Sequence, residues 1–240
     1  MTPSLRTVSF GDADAGVWGA VAEGELRFLA LGAGGSTRAE LESLTLEHSD
    51  EEGDWQLRGD GLELTIEPEL ALAGGPVEFD QRCRVRGGFT LDGHEQAVDC
   101  RGIRSSRDGR TDLRRCEAIR SVSGWFGAED GVALLALRPR APQGHDEDSV
   151  SATLFEHGGP VPVTEPRLST TYAADGRPLR VSLELWLGEE PDDYPRRAAA
   201  EALGTPASCA RSGVQAQAEL LRWHSRGMEG SGVYLLASLP

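Results

Sequence analysis

The amino-acid sequence predicts a mainly β protein: two packed antiparallel β-barrel or sandwich halves, with one short helix near 194–203. Three observations carry this. Apolar and polar residues alternate with period two in several stretches, which sets successive side chains on opposite faces of a strand. Glycine, at 30 of the 240 residues, recurs where successive strands would turn. Only two stretches invite a helix at all.

Along the chain, the apolar run Leu26 to Leu31 leads into Gly32-Ala33-Gly34-Gly35-Ser36-Thr37. This imitates a strand entering a phosphate-binding loop, but Thr37 stands where a dinucleotide fingerprint needs its third glycine, so a turn is the better reading. Thr37-Arg38-Ala39-Glu40 resembles a capping box, whereas Thr45-Leu46-Glu47-His48 alternates like a strand, and the segment stays open between helix and strand. Leu62 to Glu67 puts Leu62, Leu64 and Ile66 on one face. Arg82, Arg84 and Arg86 share one face of a strand, with Cys83 and Val85 on the other. Those arginines either cover an exposed face and pair with acids such as Glu63 and Glu67, the favoured reading, or recognise a carboxylate or phosphate.

Phe89 to Leu91, Asp92-Gly93 and His94 to Asp99 form the strongest hairpin signal, because Asp-Gly supplies the positive φ angles of a two-residue turn. Ser105 to Arg110 reads as a loop or linker. Val132 to Leu137 is a continuous apolar run of strand length, and Val181 to Leu187 alternates, with Val181, Leu183, Leu185 and Leu187 on the aliphatic side. Asp193 to Gly204 has a capping Asp, an early Pro, good helix formers and a terminal Gly, which predicts the short helix. Val214 to Trp223 and Val233 to Leu239 read as strands joined by the turn-rich segment 226–232.

Charge is uneven along the chain. The total of 24 basic and 39 acidic residues gives −15, divided as −13 over residues 1–80, +4 over 81–120 and −6 over 121–240. The arginine-rich middle suggests a boundary, with an N-terminal β domain over 1–112 and a C-terminal one over 113–240. All the basic residues are arginine, and lysine and asparagine are absent. Schiff-base, P-loop-lysine and Ser-Lys chemistry are thereby excluded, as are N-linked glycan sites. Together with scarce isoleucine and abundant Ala, Gly, Arg and Leu, this points to codon bias in a GC-rich genome.

Net charge of this sign opposes nucleic acid. No Gly-x-Ser-x-Gly elbow is present, which disfavours a standard α/β-hydrolase. The five histidines lack metal-site spacing, and His145-Asp146-Glu147-Asp148 reads as a solvated acidic loop, so neither metal nor cofactor is expected. The N-terminus shows no basic-then-apolar signal, and no apolar run approaches the ~18 residues of a membrane span, so the expected place is the cytoplasm. Cys83, Cys100, Cys116 and Cys209 fit reduced, buried side chains.

Glu117 to Gly127, Val132 to Pro139, Glu165 to Tyr172, Gly176-Arg177-Pro178 and Leu183 to Trp186 together resemble a branch of actinobacterial proteins related to the AttH-like and hydroxyneurosporene synthase (carotenoid hydratase) superfamily. The resemblance covers mainly residues 115–190 and rests on no single diagnostic signature. It implies two lipocalin-like β-barrels in tandem. Some members of that superfamily hydrate an isolated alkene with a carboxylic acid and aromatic residues inside a barrel; no catalytic position is carried over from them.

Three functional expectations follow. In the first, a barrel interior or the cleft between domains holds a small lipophilic molecule, with Trp125, Tyr172 and Trp186 as wall and Arg120 with Glu165 as polar fixing groups. In the second, Glu165 or Glu184, kept neutral by an apolar site, protonates an alkene and aromatic faces steady the cation. In the third, the Arg82-Arg84-Arg86 face binds an acidic partner. Trp186 itself, opposite the aliphatic face of its strand, either lines a cavity or lies half-exposed on a sheet.

Overall fold

The computed structural model describes residues 5–41, 44–48, 53–75, 77–107, 113–140, 148–188 and 194–240. Its first sheet is built from β1 (Leu5–Asp12), β2 (Val17–Gly24), β3 (Phe28–Ala33), β4 (Ser36–Glu40), β5 (Thr45–His48), β6 (Trp55–Gly59), β7 (Leu62–Pro68), β8 (Ala73–Gly74), β9 (Phe79–Leu91) and β10 (His94–Arg107). The second comprises β11 (Cys116–Phe126), β12 (Asp130–Pro139), β13 (Ser149–Glu156), β14 (Gly159–Pro162), β15 (Glu165–Tyr172), β16 (Pro178–Trp186), β17 (Arg196–Arg211), β18 (Val214–Ser225) and β19 (Met228–Ser238). The sheet orders are 4-3-2-1-10-9-7-6-5, with β8 beside β9, and 14-13-12-11-19-18-17-16-15, antiparallel throughout. Each is a four-strand meander whose first strand pairs with the last strand of a second meander. The same wiring thus occurs twice, as two curled half-barrels.

Three cores follow from this layering. Cys83, Val85, Leu57, Leu64, Ile66 and Trp55 fill the inside of the first half, and Val122, Leu134, Leu183, Leu221, Trp223 and Tyr234 fill the inside of the second. Between the sheets lies a shared core that includes Trp18, Ala20, Phe28, Ile119, Trp125, Ala133, Leu135, Ala218 and Leu235. This explains the unbroken apolar run of β12: Val132, Leu134 and Ala136 face the inside of their half, while Ala133 and Leu135 face the other sheet. A strand buried on both sides has no reason to alternate.

The Asp92-Gly93 turn forms as expected, with φ of 50° and 78°. Gly34-Gly35 makes the β3–β4 turn at φ 57° and 90°, and residues 36–40 continue as a strand.

The predicted helix near 194–203 is a strand instead. Its residues from Arg196 onward belong to β17, where Ala198 and Ala200 are buried while Arg197, Ala199 and Glu201 are exposed. A ten-residue helix is marginal by itself, and here the slot between β16 and β18 supplies a full ladder of backbone partners. Arg197–Glu184 (3.0 Å) and Arg180–Glu201 (3.3 Å) reinforce the pairing. Asp193, the expected cap, lies outside the described residues, as does the boundary expected near residue 112. Among the described residues the only helical turn is Leu113–Arg115.

Ser105, Ser106 and Arg107 likewise belong to β10, paired with β1, rather than to a loop. Arg82 departs from its neighbours: Arg84 and Arg86 pair with Asp99 and Glu67 as a surface face would, but Arg82 is wholly buried by the second half. Its Nη groups donate to the carbonyls of Asp130 and Gly127 in the β11–β12 turn. Asp80 also joins the halves: it pairs with Arg107 (2.7 Å) and accepts from Ser105 Oγ (2.6 Å) and, across the junction, Thr153 Oγ1 (2.8 Å).

Candidate functional site

The six residues singled out from sequence fall into three places. Glu165, Glu184 and Trp186 gather on the outer face of the second sheet around Arg167. That guanidinium pairs with Glu165 (2.6 Å), approaches Glu184 (3.9 Å) and lies 5.9 Å from the Trp186 ring centre. Both carboxylates are thereby engaged by surface arginines, and the aliphatic side of β16 faces the core. Trp125 is buried between the sheets and donates from Nε1 to Gly11 O (3.1 Å), lining a cleft there.

Arg120 and the exposed Tyr172 both approach a buried residue of the second half that sequence reasoning missed. Tyr234 of β19 is buried among core side chains, and its hydroxyl lies 2.9 Å from that of Tyr172. Burial pushes its phenol upward, the Tyr172 hydroxyl adds to this, and Thr170 and the Arg120 charge pull it back. Arg120 is itself paired with Asp148.

Directly opposite Tyr234 in register stands Glu219 of β18. Its side chain is 1% exposed, and neither carboxyl oxygen has a hydrogen-bond partner among the described residues. Burial raises the carboxyl to about 7; Arg177 at 3.9 Å opposes the rise and Asp175 adds to it. Such a group is roughly half protonated near neutral pH and can donate a hydrogen bond or a proton. Sequence held one faint signal: within Val214 to Trp223, Glu219 shares its face with Leu221 and Trp223. Because the opposite face, Ala216, Ala218 and Leu220, is equally apolar and also buried between the sheets, alternation alone does not say that the face carrying Glu219 is closed to water.

Arg177 sits in the turn joining β15 to β16. That turn is closed by Ala173 N to Arg177 O (2.8 Å) and is tied across the mouth of the half-barrel by Gln217 Nε2 to Gly176 O (3.2 Å). Just outside lies a hollow of about 550 Å³, lined by Gly176, Ser208, Ala210, Gln215, Gln217 and Leu236. Gln217 and Leu236 are each two residues along the strand from Glu219 and Tyr234, on the same face. The arrangement is therefore an open hollow, a polar turn over its inner side, a buried acid and Tyr234 one layer deeper, and the hydroxyl of the exposed Tyr172 reaching Tyr234.

Cys83 and Cys100 are free thiols buried in the first half, as the sequence reading of reduced, buried side chains has them, and burial pushes them up to about 12 and about 11. No cluster of three or more His, Cys, Asp or Glu fit for a metal exists among the described residues, and residues 145–147 of the acidic loop lie outside them. No helix among the described residues is long and apolar enough to cross a membrane.

No protein-family model matches this chain, and no curated protein matches it in sequence. Among solved structures it is similar to CghA, at a TM-score of 0.61 and 12% identity over 99% of this chain and 88% of that one. It is equally similar to a Nitrosomonas europaea protein assigned as an AttH, at a TM-score of 0.61 and 10% identity over 98% and 91% of the two chains. At such identities the likeness is one of fold, and the chain has an AttH-like fold of two tandem half-barrels.

Proposed function

We propose that this protein binds a small lipophilic molecule of isoprenoid or lipid type at the mouth of its C-terminal half. The apolar body occupies the hollow beside Leu236, and the molecule's polar group reaches Glu219, Tyr234 and Tyr172. The observation that carries the reading is Glu219, a carboxyl group buried without a hydrogen-bond partner two residues along the strand from Gln217, which lines an accessible hollow. Leaving such a group unsatisfied costs about 1–3 kcal/mol, and its place one layer below an open hollow favours a partner that arrives from outside. Of the residues expected from sequence, Arg120 and Tyr172 belong to this site.

Native mass spectrometry of protein purified from its own host, followed by calorimetric titration with farnesol, tests this. A co-purifying lipophile and saturable farnesol binding are expected, with binding lost in Leu236→Trp, which fills the hollow. Absence of both in the wild-type protein overturns the proposal.

A second reading is acid catalysis, favoured by the same carboxyl remaining partly protonated near pH 7. Glu219 would donate its proton to an alkene carbon, water would add to the resulting cation, and the proton lost by that water would return to the carboxylate. Deuterium incorporation from D₂O into an added isoprenoid alkene, abolished in Glu219→Gln, is the expected result; no incorporation by the wild-type protein removes catalysis while leaving binding intact.

A further inference from the structure

A second cleft, of about 290 Å³, opens between the two sheets, where the β1–β2 turn meets the start of β19 and the β11–β12 turn. Arg84 and Arg101 both line it, and they stand directly opposite each other on β9 and β10. Like charges so placed repel, and a sheet tolerates them when something of opposite charge sits between them. The available carboxylate is insufficient. Asp99 accepts from Arg84 Nε at 2.5 Å, but it is shared with Arg86 at 3.3 Å. Arg101 has no hydrogen bond or ion pair among the described residues, and its Nε is shielded from solvent.

A third guanidinium lies close by. Arg82 is wholly buried, its Nη groups are held by the carbonyls of Asp130 and Gly127, and no described carboxylate reaches it at ion-pair distance. Gly127 itself lines the cleft. Of the acids on the facing wall, two flank another arginine and the third is capped by backbone N–H groups. Asp12 Oδ1 accepts from the backbone of Asp14 and Ala15 (2.8 and 3.1 Å), while Asp14 and Glu229 flank Arg222 (2.9 and 3.9 Å).

From this juxtaposition we infer that the cleft between the sheets is an oxyanion site, in which a carboxylate or phosphate group is held by Arg101 with the Nη groups of Arg84. Planar guanidinium forks suit such groups, which accept two parallel hydrogen bonds. A chain of net charge −15 does not draw anions from a distance, so recognition here is local. The site is separate from the hollow beside Leu236 and does not depend on the function proposed for it.

Calorimetry at constant ionic strength, with octanoate, inorganic phosphate and chloride as probes, tests the inference. Saturable binding of octanoate or of phosphate, but not chloride, is expected, and which of the two binds identifies the source of the group. Arg101→Gln should weaken that binding at least tenfold and Arg101→Lys by less, while Arg58→Gln, a surface arginine on β6, and Leu236→Trp leave it unchanged. If Arg101→Gln does not fold by circular dichroism, Arg101→Lys decides, because it keeps the charge and loses the fork. Wild-type affinity in whichever of these two variants decides, or no saturable oxyanion binding by the wild-type protein, overturns the inference.

Discussion

Replacing Glu219 with glutamine removes one titrating group from inside the C-terminal half, and the pH dependence of stability should change by a calculable amount. In the folded protein burial raises this carboxyl from 4.5 to about 7, with Arg177 opposing and Asp175 assisting. The folded state thus holds the proton more tightly than the unfolded chain does. Below the unfolded value both states are protonated and the contribution to stability is complete; it is lost as pH rises through the folded value. One unit corresponds to about 1.36 kcal/mol, so the shift bounds the loss at roughly 3 kcal/mol. Urea unfolding followed by tryptophan fluorescence at pH 5, 6, 7 and 8 measures it. Wild-type protein should lose about 2–3 kcal/mol between the extremes relative to Glu219→Gln, all other titrating groups being common to both proteins. Parallel pH profiles for the two would refute the reasoning, because Glu219 would then titrate alike in the folded and unfolded states.

Asp80→Ala removes the Asp80 carboxylate from the buried Arg107 and cuts the link to Thr153; a loss of about 3–5 kcal/mol in urea unfolding is expected. Tyr234→Phe and Tyr172→Phe each break the same hydrogen bond between the two hydroxyls, so each should cost about 1 kcal/mol and the double variant little more than one of them, as a double-mutant cycle would show. Gly87→Ala meets the Glu63 carbonyl at 2.1 Å from a backbone at φ 129°, and should lower the unfolding midpoint by the equivalent of about 3 kcal/mol or more.

Much of the fold was legible because most strands face a core on one side and water on the other. Leu62 to Glu67 and Val181 to Trp186 alternate for that reason, and Asp92-Gly93 sets its own hairpin through local φ preferences. Segment 196–203 misled because alanine-rich sequence satisfies helix propensity and a small-residue strand equally well. Only the neighbouring β16 and β18 distinguish them. The candidate site was less legible. Glu184 stands two residues before Trp186 in sequence and Glu165 seven before Tyr172, yet both pair with arginines at the surface, whereas Glu219 lies in an unremarkable run of Gln, Ala and Leu.

Sequence by itself determined that this is a β protein, where several of its hairpins turn, and which amine chemistries it cannot perform. These properties are local: they depend on alternation, on the φ angles of turn residues and on the residue types present. Only the tertiary structure decided which carboxylate is buried, which arginines have partners and which do not. Arg82, Arg84 and Arg86 are equivalent in the sequence, but the second half covers the first of them, leaves Arg84 at the edge of a cleft and leaves Arg86 on the surface beside Glu67. Desolvation and charge pairing depend on what packs against a side chain, and for Arg82 and Glu219 those neighbours come from strands distant in the chain.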